Sequence, residues 1–229
     1  MFLPLHCKGD YWWLTCGARK SVGVSLWHFF DFGVIVIKLL EDRILKDGEI
    51  LPGNVLKVGS FLNQQIDTVL LKEIGEEIAR LFKDCGVNKI LTIEASGIAI
   101  AVSAAFAMGV PVVFAKKNRS TNISGEVLVT EVESFTHGVT NKIVVAKEFI
   151  TEDDVILVVD DFLANGKALA GLFELVKSAG ATYVGAAVAV EKGFQKGGDS
   201  LREKGVRVES LAIIDEMTED SIVFRPQNN

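Results

Sequence analysis

The stretch VILVVDDFLANGKALAGL, residues 155–172, sets two carboxylates, Asp160 and Asp161, directly behind an apolar run. A small-residue loop, Ala164, Asn165 and Gly166, comes next, and then apolar residues at helical spacing. A glycine turn between strand and helix presents backbone N–H groups and the positive end of a helix dipole, both suited to an anion such as phosphate. Carboxylates cannot bind that phosphate. They can accept hydrogen bonds from sugar hydroxyls or hold the waters of a metal ion. Phosphate on one side and hydroxyls on the other describe a phosphorylated sugar. The plainer alternative for the acidic pair is a helix cap. The chain has no GxxxxGK[ST] and no GxGxxG after a strand, which excludes a Walker loop and a dinucleotide fingerprint.

Other charged or loop residues sit at the ends of apolar runs in the same way. Glu94, Ala95, Ser96 and Gly97 close NKILTIE, Lys116 and Lys117 follow PVVFA, and Glu191 and Lys192 follow YVGAAVAV. With a further short run at residues 143–146, these continuous β-branched segments predict parallel strands covered on both faces. Residues 67–83, opened by an Asp cap, and residues 98–108 predict intervening helices. The expected fold is a doubly wound α/β domain, in which ligands bind beyond the carboxyl ends of the strands. All the residues named would then converge on one crevice. Residues 118–135 begin polar and then alternate, which fits an exposed hairpin serving either as a mobile lid or as ordinary surface.

VILVVDDFLANGKA resembles the phosphoribosyl diphosphate signature of the type I phosphoribosyltransferases. NVLKVGSFLNQQID (54–67), KILTIEASGIAIA (89–101), VPVVFAKK (110–117) and VEKGFQKGG (190–198) resemble, in order, segments of the bacterial xanthine phosphoribosyltransferases. The likeness spans the chain from about Lys38 to Phe224. It implies the type I fold, a mostly parallel sheet with a small hood and a mobile hairpin loop. It also implies transfer of ribose 5-phosphate from phosphoribosyl diphosphate to N9 of xanthine, with magnesium carried by the sugar diphosphate, and a homodimer. By that likeness Ala164, Asn165, Gly166, Lys167 and Ala168 hold the 5′-phosphate and Asp160 and Asp161 the ribose hydroxyls. Ala95, Ser96, Gly97 and Lys116 face the leaving diphosphate, while Leu56, Asn63 and Lys192 line the xanthine site. An ammonium such as that of Lys192 suits a purine carbonyl, and Phe162 and Phe194 offer either stacking or packing. The phosphate loop lacks the Thr or Ser hydroxyls of many members, which points to the xanthine subgroup. Hypoxanthine, guanine or adenine transferases, and a non-catalytic purine-responsive regulator, are the alternatives.

The 229 residues, roughly half of them apolar, suffice for one domain with a small appendage. A net charge of −6 without a basic stripe argues against a nucleic-acid partner. Cys7, Cys16 and Cys85 form no CxxC pair, which fits a reducing cytoplasm. Residues 1–36 differ from the rest in holding all three tryptophans and no steady period. They read as an atypical extension, a translated leader or a misassigned start, ahead of a phosphoribosyltransferase domain at 37–229. His28 and Asp31 within the apolar run 21–37 argue against a membrane anchor.

Overall fold

A computed structural model describes residues 27–117, 125–133 and 140–227 of the chain. Helix α1, Trp27–Asp47, leads into a two-stranded hairpin of β1 (Glu49–Leu51) and β2 (Val55–Lys57), then a π-helical turn at Gly59–Asn63. Helix α2, Thr68–Phe82, starts where expected, the N–H groups of its second and third residues capped by the Asp67 carboxylate, which accepts from Val69 N at 3.1 Å and Leu70 N at 3.2 Å. The α/β core runs β3 (Lys89–Ile93), α3 (Gly97–Met108), β4 (Val112–Lys117), β5 (Val127–Glu133), β6 (Thr140–Ala146) and β7 (Val155–Leu163). It is completed by α4 (Lys167–Ser178), β8 (Thr182–Lys192), α5 (Gly197–Glu203), β9 (Val208–Met217) and β10 (Ile222–Phe224).

The main sheet is mixed and mostly parallel, in the order β10-β9-β8-β7-β3-β4-β6-β5. Its five central strands, β9 to β4, pair in parallel, and both edges turn antiparallel. Along β7 the side chains alternate between two cores. Leu157 and Val159 join the one beneath α1, α2 and α3, and Ile156 and Val158 join the one beneath α4 and the β5–β6 hairpin. Both faces are dry, which explains why the strands read as unbroken apolar runs. Chain order reverses between β3 and β7, since β3 leads outward to β4 and β7 leads the other way to β8 and β9. That reversal opens a crevice at the carboxyl ends of β3 and β7.

Several expectations need correction. β7 and β8 run on through the charged pairs, so Asp160, Asp161, Glu191 and Lys192 lie within strands rather than after them. β8 keeps pairing with β7 past the last apolar residue, and β7 and β9 do the same for β8, since side-chain charge does not interrupt a backbone ladder. Residues 143–146 belong to an antiparallel strand, β6. The expected hairpin pairs β5 with β6, Thr130 opposite Ile143, instead of folding within residues 118–135. Residues 118–124 and 134–135 of that segment, the expected lid, lie outside the described residues, as do residues 1–26. α1 crosses position 37 without a break, and Val36 and Ile37 are buried. Among the described residues no helix is long and apolar enough to cross a membrane.

Candidate active site

At the β3/β7 crevice lies a cleft of about 240 Å³. Ala95 and Ser96 from the loop after β3 line it, facing Asp160, Asp161 and Phe162 of β7 and the whole of residues 164–168. One strand-loop-helix unit therefore supplies both the acidic pair and the small-residue loop. Gly166 caps α4 with φ +80°, a left-handed turn that disfavours a Cβ, and the helix opens without a side-chain cap. The Asn165 Oδ1 accepts the Lys167 N–H at 3.1 Å, so that N–H is engaged within the loop. Beyond that one N–H, the N-terminus of α4 is suited to an anion.

The two carboxylates are not equivalent. Asp160 is 6% exposed, and burial, then the neighbouring Asp161 charge, pushes its carboxyl well above the ordinary range. The Asp161 N–H and the Lys117 ammonium act weakly in the other direction. Asp161 is more open and faces the cleft. Gly97, first residue of α3, is pressed against Asp160, and a Cβ there would stand 2.6 Å from its Oδ1. The Glu94–Ala95 peptide at the head of this loop is cis.

The lysine lining the cleft is Lys117, not Lys116. Successive strand residues point to opposite faces, so only one of the pair can turn inward, and the Glu94 carboxylate holds the Lys117 N–H. Asn63, at the end of the π-helical turn, reaches the acidic pair, its Nδ2 donating to Asp161 Oδ2 at 3.4 Å. Lys192 is half-buried, which lowers its pKa through desolvation. Its Nζ donates to the Asn54 carbonyl at 3.0 Å and lies 5.9 Å from the Phe162 ring centroid. Leu56 is buried in the first core beneath the β1–β2 hairpin and does not line the cleft. Phe194 packs against that same core. The hood is thus tied to the sheet at two points, Asn63 to β7 and Asn54 to β8.

Two supports were not anticipated. At Gly197 a Cβ would fall on the Ala164 carbonyl oxygen and stand 2.5 Å from Asn165 C and Gly166 N, so α5 presses its backbone against the anion loop. At Gly198 a Cβ would overlap the carboxylate of Glu191. Glu191 is fully buried and held by Arg202 at 2.7 and 3.1 Å and by Ser210 Oγ. The KGG triplet was the available signal, because adjacent glycines outside a turn mark close backbone approach.

Among the described residues no three His, Cys, Asp or Glu side chains gather as a metal cage. The carboxylates at the cleft are the adjacent Asp160, which is enclosed, and Asp161, with Glu94 turned to the Lys117 N–H. Magnesium binds through one or two carboxylates together with waters and substrate phosphates, so this donor set fits an ion delivered with a phosphorylated ligand.

The family described as Phosphoribosyl transferase domain matches residues 65–219. The xanthine phosphoribosyltransferase of Lachnoclostridium phytofermentans is 54% identical over 82% of this chain and 98% of its own. That of Oceanobacillus iheyensis is 48% identical over 83% and 98%. Among solved structures, adenine phosphoribosyltransferase from Thermoanaerobacter pseudethanolicus superposes with a TM-score of 0.64 at 22% identity, covering 77% of this chain and 98% of that one. The Giardia lamblia adenine enzyme with 9-deazaadenine gives 0.65 at 22% identity, covering 78% and 98%.

Proposed function

Since this chain belongs to the phosphoribosyltransferase family, we propose that it transfers ribose 5-phosphate from phosphoribosyl diphosphate to N9 of xanthine, releasing diphosphate and xanthosine 5′-monophosphate in purine salvage. The observation that carries this reading is the one cleft in which the acidic pair, the 164–168 loop, and Ala95 and Ser96 meet. Identity near one half to xanthine enzymes along nearly their whole length supports the choice of base.

The roles follow from charge and geometry. The N-terminus of α4 and its loop seat the 5′-phosphate. Ser96 and its neighbours seat the diphosphate, with Lys117 in the place expected of Lys116. Asp160 and Asp161 accept from the ribose hydroxyls, and the charge they carry stabilises the positive charge that grows on the ribose as the diphosphate departs. Magnesium, bound with the diphosphate, supplies countercharge there. Lys192 has two N–H groups beyond the one given to Asn54 and offers them to a purine carbonyl, while Asn63 reads the rim of the base. Leu56 supports the hood from below. A reducing, cytoplasmic setting fits these reactants.

Purified protein incubated with labelled phosphoribosyl diphosphate and each of four purines is expected to form nucleotide fastest with xanthine. Faster use of hypoxanthine, guanine or adenine would reassign the base, and sugar-diphosphate binding without turnover would favour a regulator. Lys192→Ala is expected to raise KM for xanthine by about tenfold or more, the worth of a hydrogen bond to a charged group. KM for phosphoribosyl diphosphate should stay within about twofold, and the reverse pattern would remove Lys192 from the base site.

The homodimer has a candidate surface. Phe106 is 85% exposed on α3, a helix apolar on every side, with Val102 one turn before it. Phe106→Glu is expected to convert a dimer to monomer by light scattering. An unchanged mass would place the contact elsewhere.

A further inference from the structure

Thr92, next to last in β3, is fully buried, yet its hydroxyl has no hydrogen-bond partner among the described residues. Valine would fill almost the same space without that cost, so a buried and unmet hydroxyl calls for a reason. Its surroundings supply one. A Cβ placed at Gly97 would overlap the Thr92 hydroxyl oxygen and stand 2.6 Å from Asp160 Oδ1 and 3.3 Å from Asp160 Cα. The threonine and the carboxyl therefore face one glycine-sized gap, directly under the loop at residues 95–97. In the free protein Asp160 Oδ1 accepts the Asp161 N–H at 2.9 Å.

We propose that Thr92 is a positioning residue of the transfer reaction, its hydroxyl donating to the Asp160 carboxylate once the sugar diphosphate is bound and holding that carboxylate against the ribose. Gly97 leaves the space in which the two oxygens meet. This inference rests on the phosphoribosyl-transfer reading of the site. It explains why β3 carries one hydroxyl among Ile90, Leu91 and Ile93, beside the gap that Gly97 leaves against Asp160. Seating the diphosphate on the loop after β3 sets the first turn of α3. Through Thr92 the same strand then steadies the group that meets the ribose, so the leaving-group side and the sugar side of the cleft are aligned together.

The test compares Thr92→Val with Thr92→Ser by steady-state kinetics and thermal unfolding. Thr92→Val keeps the shape and removes the hydroxyl. It should lower kcat by about tenfold, the worth of one hydrogen bond made in the transition state, with KM for xanthine within about twofold and a melting temperature equal to or above that of the parent. Thr92→Ser keeps the hydroxyl and should recover kcat to within about threefold of the parent. Unchanged kcat in Thr92→Val, or a loss that Thr92→Ser does not recover, would overturn the proposal and leave Thr92 as packing. A parent protein inactive with every purine would remove the transfer reading itself, whereas an active parent beside an equally active Thr92→Val removes only this inference.

Discussion

Asp161→Asn is expected to lower kcat by about two to three orders of magnitude, the range seen when one preorganised electrostatic group is removed from a transition state. The amide has the size of the carboxylate and keeps an oxygen for Asn63, so substrate affinity should change far less than turnover. Stability should not suffer either. Asp161 is one of the charges that raise the pKa of the enclosed Asp160. A carboxyl whose folded pKa lies above its unfolded value binds more protons folded than unfolded, so it costs stability as pH rises from the unfolded value through the raised one. Removing the Asp161 charge brings Asp160 back toward the ordinary range and shrinks that cost. The variant should therefore lose less stability than the parent between acid and neutral pH, as measured by denaturant unfolding across that range. Near-normal turnover would take Asp161 out of the mechanism, and a large loss of stability at neutral pH would contradict the electrostatic account of the pair.

Gly197→Ala is the second large effect expected, and it acts without touching any ligand. The new methyl would meet the backbone of residues 164–166, which cannot swing aside as a side chain can. Either the loop shifts or α5 does. A shift of about 1 Å at a phosphate site can cost about a hundredfold in kcat/KM for phosphoribosyl diphosphate. Overpacking should lower stability by about 1–3 kcal/mol at the same time. Gly205→Ala provides the control, because Gly205, unlike Gly197, has φ +80° but open space around its missing Cβ. That change should cost about 1–2 kcal/mol through backbone strain alone and leave kcat/KM intact. Equal kinetic damage in both variants would mean that loss of folding, not loop displacement, lowers activity.

The parts of the site that could be read from sequence are those built within one continuous segment. Residues 155–172 carried strand, acids, loop and helix in a row, and the structure keeps them together in one cleft. Helix α2 was legible for the same local reason, an apolar stripe behind an Asp cap. What escaped was made by contact between distant segments. Gly197 and residue 166 meet across α4 and β8, and no periodicity records such a meeting. The choice between Lys116 and Lys117 depends on the phase of a strand, which one uninterrupted apolar run does not reveal. β9 escapes a sequence reading because VESLAIIDEM mixes Glu209, Asp215 and Glu216, none of them buried, into a strand that is otherwise buried. The ends of β7 and β8 were misplaced because charge was taken to end a strand, while the ladder continued beneath it.

At the rim of the cleft the hood hydrogen-bonds to the sheet through Asn63 and through the Asn54 carbonyl on Lys192, and below the rim Leu56, Phe61 and Leu62 join the first core. On the proposed reading, the groups that meet the sugar and its phosphates come from β3, β7 and their loops, with Lys117 added from β4. Over evolutionary time these two halves are free to change at different rates. On the proposed reading, a lineage can alter the base contacts made by the short segment from Glu49 to Asn63, beside Lys192 of β8, while the machinery that displaces diphosphate from the ribose is inherited unaltered. For a protein engineer, that segment is the natural cassette to swap.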